Sequence, residues 1–314
     1  MIKNYKLFLF ENVTLSLDMV INIIRSLKGD ENKELVNKLV NYSDKKGKNV
    51  LMTVVQSNNL ELIDFILGFD VDLQHKDNNN QNVLFYCKNI SIFKKFYNLG
   101  VDIKLTSKIQ MKNILCHLAA KNLFNFELYD RLVRDGIDIN QLDKYNNNAF
   151  SYSILNKRIV ELFIKNGADI NNPEIHVQEN YFYNLTYKFT YYKNKRNIII
   201  EIFKILFRNG LKILDLDKFC NLVQHMNFYD KCDIITDFLE PLKEYITEEM
   251  VFKLFNSHSN AFNNAPFAKQ LLNLGIYPEF YKYLKKYYSD TFEEKFADYI
   301  KEHPFLDDSN KYNL

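Results

Sequence analysis

Cys116 and His117 stand side by side, a thiol next to an imidazole, the two groups that a cysteine nucleophile and its general base require. On a helix, adjacent residues point about 100° apart and do not meet, so the pair reads as core packing. Cys220, His225, Cys232 and His258 form the only Cys/His cluster, but their spacings fit no short zinc pattern, and no C-x-x-C occurs. Packing or surface roles are expected for these four as well. No G-x-S-x-G, Walker loop, G-x-G-x-x-G or H-E-x-x-H is present. The residues therefore predict no catalytic group, no metal site and no cofactor. The chain is not expected to be an enzyme.

The most unusual segment is YFYNLTYKFTYYKNKRN, Tyr181–Asn197, where seven aromatics interleave with Lys188, Lys193, Lys195 and Arg196. Aromatic rings beside cations are what single-stranded nucleic-acid binding uses. Whole-chain charge speaks against that: 41 Lys plus Arg face 39 Asp plus Glu, a formal charge of +2. The segment is expected to form an atypical helix whose aromatics pack between neighbouring units while its lysines stay solvated. A partner-binding insertion is the alternative.

Composition bounds the elements that hold these residues. The chain has 314 residues, 47% hydrophobic, with only 8 Gly and 5 Pro, which favours helices with short connections around a large core. The apolar run Leu7–Phe10 stops at Glu11 and is too short for a signal peptide, and no run reaches membrane-span length. The four cysteines are scattered, so reduced thiols in a cytoplasmic setting are expected. Abundant Asn, Lys, Ile, Phe and Tyr reflect AT-rich coding rather than activity.

One stretch is then found to recur. Asp44-Lys-Lys-Gly47-Lys-Asn49-Val-Leu51 returns as Asp77-Asn-Asn-Asn80-Gln-Asn82-Val-Leu84, as Lys108-Ile-Gln-Met111-Lys-Asn113-Ile-Leu115 and as Asp143-Lys-Tyr-Asn146-Asn-Asn148-Ala-Phe150. The aligned Asn residues at 49, 82, 113 and 148 are 33, 31 and 35 apart. Each unit ends alike, in DFILGFDVDL, KKFYNLGVDI, DRLVRDGIDI and ELFIKNGADI. Asn at the aligned start can bond nearby backbone amides as a helix begins. Gly100, Gly136 and Gly167 fall where a left-handed residue closes a helix, and Asp70 takes that place in the first unit. Within LELIDFIL, Leu60, Leu62, Ile63, Phe65, Ile66 and Leu67 are expected to form one apolar side, with Glu61 and Asp64 outside. A polar SNN break folds that helix back on VLMTVV. Such a hairpin cannot bury both faces alone and needs a neighbour of its own kind.

These units resemble the ankyrin-repeat family, whose pattern runs D-x-x-G-x-T-P-L-H-x-A-A, then a second helix, then G-A-D-V-N. GADIN at Gly167–Asn171 fits the repeat ending, whereas Asn stands for Thr at 49, 82, 113 and 148 and the following Pro is missing throughout. Leu84 to Gly100 spans 16 residues and Leu115 to Gly136 spans 21, against 19 for Leu51 to Asp70, so some helix pairs must be trimmed or extended. The resemblance implies an all-α solenoid of stacked helix pairs: 1–43 as capping helices, 44–172 as four clear repeats, 173–279 as degenerate repeats, and 280–314 as a C-terminal cap and tail. It also implies recognition of a protein partner through hairpin tips and the inner-helix face. By position these are Lys45, Lys46, Lys48 and Gln56, then Asn78, Asn79 and Gln81, then Gln110 and Lys112, then Lys144, Tyr145 and Asn147. The expected molecule is a monomer that binds neither nucleic acid nor membrane. An effector or host-range role, with delivery into a host cytosol, is an extension by analogy. The rival reading is an enzyme or toxin-like activity in the degenerate half, with the repeats as its targeting arm.

Overall fold

The computed structural model describes residues 16–27, 32–171, 175–213, 215–225, 237–256, 265–275 and 277–303. Secondary structure among them is helical, apart from isolated antiparallel bridges at Ser43–Asn49 and Thr106–Asn113. The chain divides into two compact units, Met1–Ser153 with Lys165–Ala168, and Ile154–Ile164 with Asp169–Leu314.

The first unit opens with α1 (Leu17–Ser26), capped by Ser16, and α2 (Lys33–Val40), which pack on each other. Then come α3 (Val50–Ser57) and α4 (Leu60–Leu67), a 3-10 turn (Val83–Tyr86) and α5 (Ile90–Asn98). They are followed by α6 (Ile114–Ala120), α7 (Phe126–Arg134) and α8 (Ala149–Tyr152). The first elements of successive repeats stack in a row, α3 on the 3-10 turn, that turn on α6, and α6 on α8.

Each start is set by one side chain. The Oδ1 atoms of Asn49, Asn82, Asn113 and Asn148 accept the backbone N–H of Met52, Leu84, Cys116 and Ser151 at 2.9, 3.1, 2.8 and 2.9 Å. All four asparagines are buried. The amide of Asn82 also donates to the Asp102 carbonyl at 2.6 Å, and that of Asn113 to the Asp138 carbonyl at 2.7 Å. A second asparagine caps each returning helix, with Asn59, Asn89 and Asn125 accepting from Leu62, Ile92 and Leu128. Polar residues thus begin the helices and apolar ones hold them: α3 buries Val50, Leu51, Met52, Val54 and Val55. Burial of each such side chain stabilises by about 1.5–3 kcal/mol.

Two expectations need correction. On α4 only Leu62, Ile63 and Ile66 are buried, while Leu60 and Phe65 are exposed. A helix of eight residues offers one narrow face, and Phe65 instead packs edge-on against Phe69. The second correction concerns Asp70. Gly100, Gly136, Gly167 and Gly210 have φ of 78°, 84°, 85° and 83°, but Asp70 is not among the residues of positive φ. Its unit closes one step earlier, through Phe69 N–H on the Ile66 carbonyl, and the α2–Asn41 region takes over the Asp70 backbone. Asn37 Oδ1 accepts the Asp70 N–H at 3.3 Å, and Asn41 Nδ2 donates to the Asp70 carbonyl at 2.8 Å.

The second unit holds most of α9 (Lys157–Lys165), then α10 (Ile175–Tyr191), α11 (Arg196–Arg208) and α12 (Leu216–His225). A 3-10 stretch (Glu240–Tyr245), α13 (Glu248–Asn256), α14 (Ala265–Asn273), α15 (Pro278–Tyr288) and α16 (Phe292–Glu302) complete it. The helices again form two layers, with α10, α12, α13 and α15 packed in succession and α11, the 3-10 stretch, α14 and α16 behind them. Phe182, Phe189, Phe203, Phe219 and Phe238 fill its core, Phe203 lying 5.1 Å from Phe238.

Gly136 closes α7, with its N–H on Val133 and the Ile137 N–H on Leu132. A Cβ there meets nothing within 4 Å, so the cost of a side chain is backbone strain alone. Gly136→Val is expected to destabilise by more than about 1 kcal/mol. Hydrogen exchange should show the loss concentrated around α7 and its neighbouring repeats rather than spread over the first unit. Asp70→Gly, at negative φ, should cost about 0.5–1 kcal/mol in a urea melt, the reverse of what the repeat alignment suggests.

Candidate functional site

The hairpin tips are the surface that the repeats assemble. Asp44 Oδ1 accepts the N–H groups of Lys46 and Lys48 at 2.8 and 3.0 Å. Asp77 does the same for Asn79 and Gln81, and Asp143 for Tyr145 and Asn147. Each carboxylate thereby folds its own tip into a tight turn. In the third tip Ser107 replaces Asp, its Oγ accepts the Lys112 N–H, and the turn is one residue longer. Backbone bonds then join neighbours: Asn78 N–H to the Lys46 carbonyl at 3.0 Å, Lys108 to Asn79 at 2.9 Å, and Lys144 to Gln110 at 3.1 Å. Four tips are locked in one row.

Gly47 shows how close the row is. Its φ is 75°, and a Cβ on it would lie 2.6 Å from Asn78 Oδ1. The other tips fill the same left-handed position with Asn80, Met111 and Asn146 at φ of 59°, 56° and 56°. Met111 is the exception in kind, because an unbranched apolar side chain gains no local hydrogen bond in that conformation.

The twelve residues named from the repeat pattern fall into three groups. Lys45, Lys46, Gln56, Asn78, Gln110, Lys144 and Tyr145 are exposed, and Lys48, Asn79, Gln81 and Asn147 are half-buried. Several are tied to the fold: Asn78 Nδ2 donates to the Lys45 carbonyl, Asn79 Oδ1 accepts from Ile109, and Lys48 Nζ donates to Gln56. Lys112 is a correction. It is buried, with Nζ 3.5 Å from Asp143 Oδ2 and 4.7 Å above the Tyr152 ring. It faces the next repeat, as Lys48 does with its Nζ 5.2 Å above the Tyr86 ring. Sequence reasoning passed over Ile109 and Met111, 66% and 53% exposed on that same turn beside Tyr145 at 58%. Their signal was apolar type in a turn whose other copies are polar.

Among the described residues, those of catalytic type do not assemble. Cys116 is buried and its thiol is pushed up to about 12 by burial, and burial holds the His117 imidazole down at about 3. His117 stacks edge-on with Phe85 at 5.0 Å, which is a core contact. Cys220 is likewise buried with its thiol raised to about 12. Cys232, His258 and the His225 side chain lie outside the described residues. No group of three His, Cys, Asp or Glu able to hold a metal occurs among the described residues. No helix among them is long and apolar enough to cross a membrane. In α10 the aromatic–basic segment splits by residue type: Phe182 and Phe189 are buried, and Tyr183, Tyr187, Tyr191 and Tyr192 are exposed.

No family model matches the chain. A protein of Acanthamoeba polyphaga mimivirus described as an ankyrin repeat protein is 25% identical over 164 residues. That match covers 45% of this chain and 22% of the relative, so the chain spans well under two thirds of the protein it resembles. The distant likeness and the all-helical architecture agree with ankyrin-type repeats.

His117 makes the first unit acid-sensitive. An unfolded imidazole titrates near 6.5, and the folded one near 3. Above the unfolded value both states are neutral and nothing is lost; as pH falls below it, only the unfolded chain takes the proton. Stability should then drop by up to about 1.4 kcal/mol per pH unit toward the folded value. His117→Leu should remove this component, so its urea midpoint should fall less than that of the native chain between neutral pH and pH ~4.

Proposed function

We propose that this chain is a non-enzymatic protein-interaction module that holds a protein partner on its row of hairpin tips and the adjoining inner-helix face. The observation that carries the reading is Met111. Three tips fill the left-handed position with Gly or Asn, and the fourth spends about 1 kcal/mol of backbone strain on an exposed apolar side chain. Strain held at a surface position with no packing return supports a binding role there. Ile109 and Tyr145 flank it, and Lys144 lies 4.8 Å above the Tyr145 ring, giving an apolar centre with a basic rim. Lys45, Lys46, Lys48, Gln56, Asn78, Asn79, Gln81, Gln110 and Asn147 extend that surface along the row, and Lys112 supports it from below. Rigid tips bind with little ordering cost.

The reading keeps 44–172 as the clear repeats, 1–43 as their N-terminal cap, 173–279 as degenerate repeats and 280–314 as the closing segment. The viral source of the relative and the AT-rich coding support a host-directed effector or host-range role, exercised as a monomer in a cytoplasm.

Met111→Asn separates binding from folding. It should raise stability by about 0.5–1 kcal/mol, because Asn tolerates the left-handed conformation, and at the same time weaken the partner. The check is a urea melt together with cross-linking capture from eukaryotic lysate, compared with Ile109→Ser/Tyr145→Ser. Unchanged capture by both variants would remove the tips as the binding surface.

A further inference from the structure

The second unit carries an aromatic surface that the repeat tips do not explain. Along α10, Tyr183, Tyr187 and Tyr191 recur every four residues on one face, opposite buried Phe182, Leu185 and Phe189. Their rings form a continuous strip, with Tyr183 and Tyr187 centroids 5.9 Å apart and Tyr187 and Tyr191 centroids 4.6 Å apart. Tyr192 adjoins it, and Lys188 Nζ sits 4.6 Å above its ring. A tyrosine strip this exposed is not core packing.

Charge selects the occupant. The sequence holds no Asp or Glu between Glu179 and Glu201, yet it holds Lys188, Lys193, Lys195 and Arg196. Arg196 is spent inside the unit, where Nη1 meets Asp237 Oδ2 at 3.0 Å and Nε donates to the Phe189 carbonyl. No carboxylate pairs with Lys188, Lys193 or Lys195 among the described residues. Base stacking requires an open ring face. Tyr187 is already crowded within the strip, with Tyr183 stacked on it, Tyr191 tilted against it and Lys188 Nζ 5.8 Å above its ring. Ring bodies accept apolar side chains, and hydroxyls and amines accept carboxylates. We propose that the Tyr183–Tyr187–Tyr191 strip with Lys188, Lys193 and Lys195 is a docking surface for an acidic, amphipathic peptide segment of a protein partner, separate from the repeat tips.

The chain contains 21 Tyr and no Trp, so the part of its tyrosine emission that is lost in Tyr187→Ser/Tyr191→Ser reports on this strip. The experiment titrates the full chain with a synthetic peptide alternating Glu and Leu, with a Lys–Leu control, and with an oligothymidylate. The acidic peptide should bind and shift tyrosine emission, and the basic peptide should not. Tyr187→Ser/Tyr191→Ser and, separately, Lys188→Glu/Lys193→Glu/Lys195→Glu should each weaken it by about tenfold or more with the circular dichroism unchanged. Met111→Asn should leave this binding untouched, which separates it from the tips. Equal affinity for acidic and basic peptides, tighter binding of the oligothymidylate than of the acidic peptide, or retained affinity in both folded variants would overturn the proposal.

Discussion

The first unit depends on one two-sided contact, a buried asparagine whose carbonyl begins a helix and whose amide reaches the loop that ends the same repeat. Asn82 and Asn113 make both bonds, to Leu84 and Asp102 and to Cys116 and Asp138. The cap alone is worth about 1 kcal/mol, and loss of the side chain would also orphan a loop carbonyl, at about 1–3 kcal/mol if buried. At 82 and 113 this gives a physical reason for Asn where the ankyrin pattern writes Thr. A threonine hydroxyl offers donor and acceptor on one atom, whereas asparagine places them on two and can span helix and loop together. Asn148 caps its helix in the same way, but its Nδ2 has no partner among the described residues.

A second set of side-chain amides couples one repeat to the next. Asn41 bonds the backbone of Asp70 and Asp72, Gln74 that of Gly100 and Asp102, Asn140 that of Gly167, and Asn171 that of Gly210 and Lys212. The chain breaks this series at Lys104, which stands two residues after Asp102 as Gln74 stands after Asp72. A cleft of about 410 Å³ lies there, lined by Tyr97, Val101, Lys104 and Arg131 among others. Coupling across it passes to α5 and α7, where Tyr97 donates to Asp135 and Arg131 sits 4.7 Å above the Tyr97 ring. The irregular repeats are tolerated on the same grounds. The repeat from Leu84 to Gly100 shortens its first helix to the Val83–Tyr86 turn, yet keeps the Asn82 cap and anchors Tyr86 on Asp77 at 2.7 Å.

What the sequence makes legible follows from the directionality of these bonds. A cap, a carboxylate-closed turn and a left-handed glycine each require one residue type at one spacing, so Asn49, Asp77 and Gly136 could be found without coordinates. Asp70 misled because its backbone is held by Asn37 and Asn41, partners some thirty residues away that alignment of repeats does not bring into view. Lys112 misled for a related reason: its partners, Asp143 and Tyr152, belong to the following repeat, which a reading of one tip at a time leaves out. The second asparagine caps, Asn59, Asn89 and Asn125, went unread because the helix pairs vary in length and the caps therefore share no fixed offset from the first.

The fading of the pattern after residue 172 has the same origin. In the second unit α11 and α16 start without a side-chain cap bond, α13 retains one from Thr247, and the Phe280 N–H of α15 donates to Glu248 on α13 rather than to a residue of its own turn. Phenylalanine takes over the work of joining layers, with Phe182 against Phe203 and Phe219, and Phe189 and Phe203 against Phe238. Ring packing is adaptable: it tolerates shifted positions and exchanged apolar residues, so it leaves no fixed spacing behind. Yet where a directed bond persists, the repeat remains recognisable. Asn171 still clasps the Gly210 carbonyl at 2.9 Å and the Lys212 N–H at 2.7 Å, and Gly210 still turns left-handed. Helix layers therefore form in the second unit although the sequence pattern fails there, because burial holds the helices in both units and only the first adds hydrogen bonds at fixed spacings.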